Sequence, residues 1–178
     1  MVTNDSTISL DIREKESSTS PYQLRQTLSR HNSVGNSVAW SPDGNFVATG
    51  GNDGSIRIWD TKSGQEVRML VGHRNAVRSV AWSPDGRWLA SGSADNTVKM
   101  WEAQSGQELR MLVSHRNAVT SVAWSPDGRW LASGSADNTV RLWAAQGGQE
   151  VRMLLRAYPK NPFALFSFNE LQSYSDRL

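Results

Sequence analysis

The chain has 178 residues, no cysteine and a formal charge of +2, which excludes disulfides and cysteine-bound zinc and lacks the basic excess of a dedicated nucleic-acid binder. The sequence pI of 9.2 does not alter this, because with three histidines and no thiol few groups titrate between neutrality and the lysine range. No apolar run approaches the ~18 residues of a membrane-spanning helix, and the N-terminus has neither the apolar core nor the cleavage site of a signal peptide.

Residues 1–21 are polar and carry no hydrophobic period, which predicts a disordered N-terminal tail. Three copies of one unit follow without insertion. His31, His73 and His115 are 42 residues apart, and so are Trp40, Trp82 and Trp124, Asp53, Asp95 and Asp137, and Trp59, Trp101 and Trp143. In the second copy Val77-Arg78-Ser79-Val80-Ala81-Trp82 is a short β-prone run. It is closed by Ser83-Pro84-Asp85-Gly86, where proline fixes φ at the second position and Ser first with Gly last suits a type I turn. Trp88 to Gly92 reads as a second strand, Asp95-Asn96 as a tight turn, and Thr97 to Trp101 as a third strand. After a break at Ser105-Gly106, Glu108 to Leu112 alternates polar and apolar as a half-buried fourth strand should. Four-stranded units are thus expected at 36–70, 77–112 and 119–154, within a repeat region of 22–154.

The ends of the array differ. Gln23-Leu24-Arg25-Gln26-Thr27-Leu28 falls in register with residues 65–70 and 107–112, so residues 23–28 read as an orphan fourth strand. Continuing the register past 154 lays Phe163 to Glu170 over Ser121 to Gly128, with Ala157 where a histidine would fall. Residues 155–178 read either as a decayed or truncated fourth repeat or as unrelated tail sequence.

A period in the low forties, marked by Gly72-His73 and Trp59-Asp60, resembles the WD40 repeat family over residues 22–154. The resemblance implies an all-β fold of three four-stranded antiparallel β-propeller blades. Propellers have roughly four to eight blades, so three form an open, incomplete propeller or part of a larger one. Such an arc leaves a sheet face uncovered at each end, and self-association or contact with other WD40 blades is expected to complete the ring. The chain departs from the family pattern in places. The Asp after the third-strand tryptophan is Asp60 in the first copy but Glu102 and Ala144 in the others, and the Gly before the histidine is Gly72 only, with Arg30 and Ser114 elsewhere.

Four residue types in each copy invite comparison with an acyl-transfer triad. The resemblance implies instead a buried structural hydrogen-bond set in each blade: His31, Thr49, Asp53 and Trp59; His73, Ser91, Asp95 and Trp101; His115, Ser133, Asp137 and Trp143. The donor and acceptor inventory fits, and an active site is rarely written three times. No catalytic, cofactor-binding or metal residue is assigned, and no cofactor is expected; one His and one Asp per copy is poor spacing for a metal.

The second and third copies differ at seven positions: Gly72/Ser114, Arg78/Thr120, Lys99/Arg141, Met100/Leu142, Glu102/Ala144, Ser105/Gly147 and Leu109/Val151. Most of these are conservative; Arg78/Thr120 is not, and the first copy has Asn36 there. By resemblance this position opens the innermost strand, near the face where WD40 propellers meet partners. With Arg74, Asn75, Arg116 and Asn117 in the preceding loops, and Asn52, Ala94 and Ala136 before each turn Asp, these residues form the candidate partner surface; drift at an exposed site is the alternative for Arg78 and Thr120. Arg68, Arg110 and Arg152 on the fourth strands read as a solvated rim rather than a phosphate stripe. The expected function is a non-enzymatic protein–protein interaction scaffold, cytoplasmic, or nuclear if the source is eukaryotic, binding neither nucleic acid nor membrane. The alternatives are a fragment or degenerate copy of a larger WD40 signalling or sensor protein, and an enzyme with a site in a propeller channel.

Overall fold

The structure, a computed structural model, describes residues 27–28 and 31–147, and the backbone of residues 150–156. The expected tail at 1–21, most of the orphan strand at 23–28 and residues 157–178 of the C-terminal segment lie outside the described residues.

Among the described residues there is no helix. The first sheet contains β1 (Gly35–Trp40), β2 (Phe46–Gly51), β3 (Ser55–Asp60) and β4 (Glu66–Val71). The second contains β5 (Val77–Trp82), β6 (Trp88–Ser93), β7 (Thr97–Glu102) and β8 (Glu108–Val113), and the third β9 (Val119–Trp124), β10 (Trp130–Ser135), β11 (Thr139–Ala144) and β12 (Glu150–Arg156). Each is antiparallel with its strands in chain order, as a chain of short hairpins requires.

The turns explain the order. In Ser83-Pro84-Asp85-Gly86 the Gly86 amide bonds the Ser83 carbonyl at 2.9 Å, and Ser83 Oγ accepts the Trp88 amide at 2.9 Å, which fixes the first hairpin. Gly86 has φ of +70°, a conformation that favours glycine. The second hairpin also needs a left-handed residue, supplied by Gly54 in the first blade and by Asn96 and Asn138 in the others, asparagine being among the side chains that tolerate it best.

Buried apolar residues lie between successive sheets. One cluster joins Ala48, Ile56, Ile58 and Leu70 of the first blade to Val77, Val80, Leu89 and Trp101 of the second. The next repeats it one blade on, with Ala90, Val98, Met100 and Leu112 against Val119, Val122, Leu131 and Trp143. The seams also carry polar contacts: Trp82 Nε1 donates to the Ala39 carbonyl at 3.2 Å and Trp124 Nε1 to the Ala81 carbonyl at 3.1 Å. The three sheets form an arc that does not close.

Candidate functional site

Within each blade the fold gathers four side chains from four places: a loop histidine, a mid-β2-type hydroxyl, a turn aspartate and a third-strand indole. In the second blade Trp101 Nε1 donates to Ser91 Oγ at 2.8 Å, Ser91 Oγ lies 2.7 Å from His73 Nε2, and His73 Nδ1 lies 2.8 Å from Asp95 Oδ2. An indole only donates and a carboxylate only accepts. The neutral imidazole therefore carries its proton on Nδ1, an assignment made from its partners, and the hydroxyl donates to Nε2. Trp143, Ser133, His115 and Asp137 repeat the chain at 2.9, 2.8 and 2.9 Å. In the first blade Trp59 and His31 hold Thr49 at 2.9 and 2.8 Å, but His31 Nδ1 stands 3.3 Å from both oxygens of Asp53.

Two further groups belong to each chain and were not singled out from the sequence. Thr97 Oγ1 donates to Asp95 Oδ1 at 2.6 Å, Thr139 does the same to Asp137 at 2.6 Å, and Ser55 to Asp53 at 2.7 Å. The amides of Arg74 and Arg116 bond the other carboxylate oxygen at 3.0 and 2.9 Å. The signal was a hydroxyl residue two places after every turn Asp. Burial pushes the Asp95 carboxyl up, but hydrogen bonds from Thr97, the Arg74 amide and His73 outweigh it and hold the group down at about 2. Asp137 is lowered too, against its burial, by Thr139, the Arg116 amide and His115. For His73 burial dominates and lowers its pKa despite the Asp95 carboxylate beside it.

The chemistry of these sets follows from access. Ser91 and Ser133 are 0% and 1% exposed, and each hydroxyl is already engaged by an indole and an imidazole. In this arrangement neither oxygen is open to solvent, and the Ser, His and Asp side chains link the second strand, the loop and the turn. Beside each set stands a buried cation also not singled out: Arg57 Nη1 on Glu66 at 2.6 Å, Lys99 Nζ on Glu108 at 2.5 Å, and Arg141, whose Nη1 donates to Ser114 Oγ. Lys99 lies 5.8 Å from the ring centre of Trp101. Among the described residues no three His, Cys, Asp or Glu side chains converge as a metal site would require.

The second group of candidate residues lies at one end of the blades. Asn36 and Arg78 are unpaired bulge residues in the first-strand ladders: the register jumps from Gly35 to Ser37 and from Val77 to Ser79. In the third blade Val119 pairs Ser135 and Ser121 pairs Gly134, which leaves Thr120 in the same place. A bulge re-aims the extra side chain away from the pleat. Arg78 and Thr120 are exposed, Thr120 with its hydroxyl 3.2 Å from the Gly134 carbonyl. Asn36 is half-buried and bridges outward, its amide donating to Asn52 Oδ1 at 2.8 Å and to the Val77 carbonyl of the next blade at 2.9 Å.

Backbone bonds from Asn52 to Val34, Ala94 to Ala76 and Ala136 to Ala118, each 2.9 Å, set the turn residues beside these loops. Arg74, Asn75, Arg116, Asn117, Asn52 and Ala136 are exposed there, while Ala94 is half-buried. Asn75 and Asn117 each cap the following amide, at 2.7 and 2.8 Å, so their side chains are oriented before any partner arrives.

Comparison with known proteins agrees with this architecture. The family model of the CAF1B/HIR1 beta-propeller domain matches residues 3–163. A small ribosomal subunit protein RACK1 of Glycine max is 48% identical over 48 residues, which is 27% of this chain and 15% of that protein. WD repeat-containing protein 1 of Gallus gallus is 46% identical over 52 residues, 29% of this chain and 8% of that protein. The solved structure of U3-55K superposes with a TM-score of 0.70 at 30% identity, over 72% of this chain and 41% of that one. The chain thus spans a minor part of the relatives it matches. With three blades in the described region, their repeated polar chains and a family model covering most of the sequence, the chain belongs to the CAF1B/HIR1 beta-propeller domain family, a member of the WD40-repeat propellers.

Proposed function

We propose that the chain is a non-enzymatic protein–protein interaction scaffold that presents the rim of bulge and loop residues, Asn36, Arg78 and Thr120 with Arg74, Asn75, Arg116, Asn117, Asn52, Ala94 and Ala136, to a protein partner. The observation that carries the reading is the coincidence of three facts at one position. A site that varies non-conservatively between the near-identical second and third blades, and again in the first, is the bulged residue of the first strand, and in two of the three blades it is exposed. Fixed blades beneath a variable, re-aimed side chain are what a specificity surface needs. The His, Ser or Thr, Asp and Trp sets, whose histidine, hydroxyl and indole are buried while Asp95 and Asp137 are half-buried and Asp53 is exposed, serve this reading as register-setting structure. A relative named as a small ribosomal subunit protein is, by that name, part of an assembly, which supports a scaffold role.

The partner would be protein rather than nucleic acid or membrane, and the location cytoplasmic, in keeping with the absence of cysteine. A second reading, that these blades are part of a larger WD40 signalling or sensor protein, is favoured by the 41% coverage of U3-55K.

Quantitative pull-downs test the scaffold reading. Arg78→Glu and Arg116→Glu should each lose bound protein while keeping the wild-type melting temperature, and Arg87→Glu, at the opposite end of the same blade, should retain it. Equal retention by all three removes the rim from the reading. A hydrolase activity abolished by Ser91→Ala without loss of stability removes the non-enzymatic assignment.

A further inference from the structure

We infer that two copies of this chain close on each other head to tail, the leading face of β1 in one copy packing on the trailing face of the third sheet in the other, to make a ring of six blades from two arcs of three. The seams inside the chain supply the template. At each of them the first-strand tryptophan donates to the carbonyl of an alanine one blade back, Trp82 to Ala39 and Trp124 to Ala81, and the first-strand valine amide donates to a serine hydroxyl, Val80 to Ser37 and Val122 to Ser79, both at 3.1 Å. Carried one step further, the rule pairs Trp40 and Val38 of one copy with the Ala123 carbonyl and Ser121 hydroxyl of the other. Both donors and both acceptors are present in the sequence.

The two faces are also the places where the pattern of burial fails. Val38 and Trp40 are 66% and 64% exposed, whereas Val80, Val122 and Trp124 in the same positions are 5%, 8% and 8%. On the opposite side, Ala132, Val140 and Leu142 are only partly covered, while Ala90, Val98 and Met100 of the second blade are buried. One face therefore offers the donors and apolar side chains that the other is built to receive.

One feature sets the strength of the contact. A side chain on Gly50 or Gly92 would lie 2.6 Å from Val77 or Val119, so each internal seam seats a valine over a glycine. Over Gly134, in the same position of the third blade, the nearest atom to an added side chain is the Ser121 hydroxyl, at 2.6 Å, and the residue aligned with Val77 and Val119 is Gly35. The seam between copies lacks that valine and is weaker than the seams within a chain. Closure around a two-fold axis covers both end faces of the described arc in each copy, and three arcs would exceed the roughly four to eight blades of propellers.

Ring closure and partner capture are separable: the charge reversals that test the rim, Arg78→Glu and Arg116→Glu, leave Val38 and Leu142 intact. Size exclusion with light scattering on the full chain, from about 1 to about 100 μM, should show twice the 19.7 kDa chain mass at the upper end. Val38→Glu changes a residue that is solvent-exposed within one chain, so it should keep the far-UV spectrum and weaken the dimer by at least about tenfold. Leu142→Glu, on the opposite face, should do the same, and Gly35→Val should tighten the dimer by restoring the missing valine. A chain still monomeric at about 100 μM overturns the inference. So does a dimer indifferent to both Val38→Glu and Leu142→Glu, and so does a mass that grows past two copies, which would mean an open filament.

Discussion

The middle blade and the outward faces of its two neighbours are written in nearly the same residues and live in different surroundings. Val80 is sealed at 5% exposure between two sheets, and Val38, one repeat earlier, is 66% exposed. Leu112 is buried in the seam to the third blade, and on the outer side of the same strand Met111 is 53% exposed. For the first-strand valine, burial is a property of having a neighbouring blade. The apolar area a residue removes from water, and hence its contribution to stability, is decided one blade away in the sequence.

The sharpest way to break that comparison is to truncate the same tryptophan in two blades. Trp124→Ala empties a packed seam and should cost about 3–5 kcal/mol in urea unfolding, whereas Trp40→Ala, measured at a concentration where single chains dominate, should cost less than about 1 kcal/mol. Equal losses would mean that the exposed face is already covered within one chain.

The polar chains allow a finer comparison, between the second blade and the first. Removing His73 or Asp95 strands buried donors and acceptors and should cost about 1–3 kcal/mol. The matching contact in the first blade is longer, 3.3 Å against 2.8 Å. A double-mutant cycle on His31 and Asp53 should therefore return a smaller coupling than one on His73 and Asp95. A larger coupling in the first blade would sink the geometric ordering.

The smallest effects lie in the acid limb. His73 has a folded pKa below its ordinary 6.5, so the unfolded chain takes up that proton first. Its contribution is full above pH 6.5 and fades as pH falls through the lowered folded value. Asp95, held at about 2 against an ordinary 3.8, adds stability that is present above pH 3.8 and lost as pH falls towards 2. Denaturant midpoints should decline in two stages on acidification, and Asp95→Asn should flatten the lower one. An unchanged slope below pH 4 in that variant would remove Asp95 from the account.

Much of this was legible in the chain. The Pro-Asp-Gly turns, the alternation of Glu108 to Leu112 and the fixed interval between tryptophans are local marks, and local marks set strands and hairpins. The bulges were harder to see because register is a relation between two strands. Even so, a trace existed: Val77 and Val80 are both buried though three apart, a spacing that a regular strand sends to opposite faces. Lys99 reads as an exposed strand cation in isolation. Its burial follows from Glu108 on the adjacent strand, nine residues on, and from the Trp101 ring, a pairing that no period announces.

The bond from each first-strand indole to a carbonyl one unit back, Trp82 to Ala39 and then Trp124 to Ala81, spans 43 positions both times. A contact whose two halves always sit in successive copies behaves as a tandem-duplication joint. Gaining or losing one 42-residue unit by unequal crossing-over leaves every internal joint unchanged. No single unit records how many there should be, so the count is free to drift in evolution until the geometry of the ring selects among lineages.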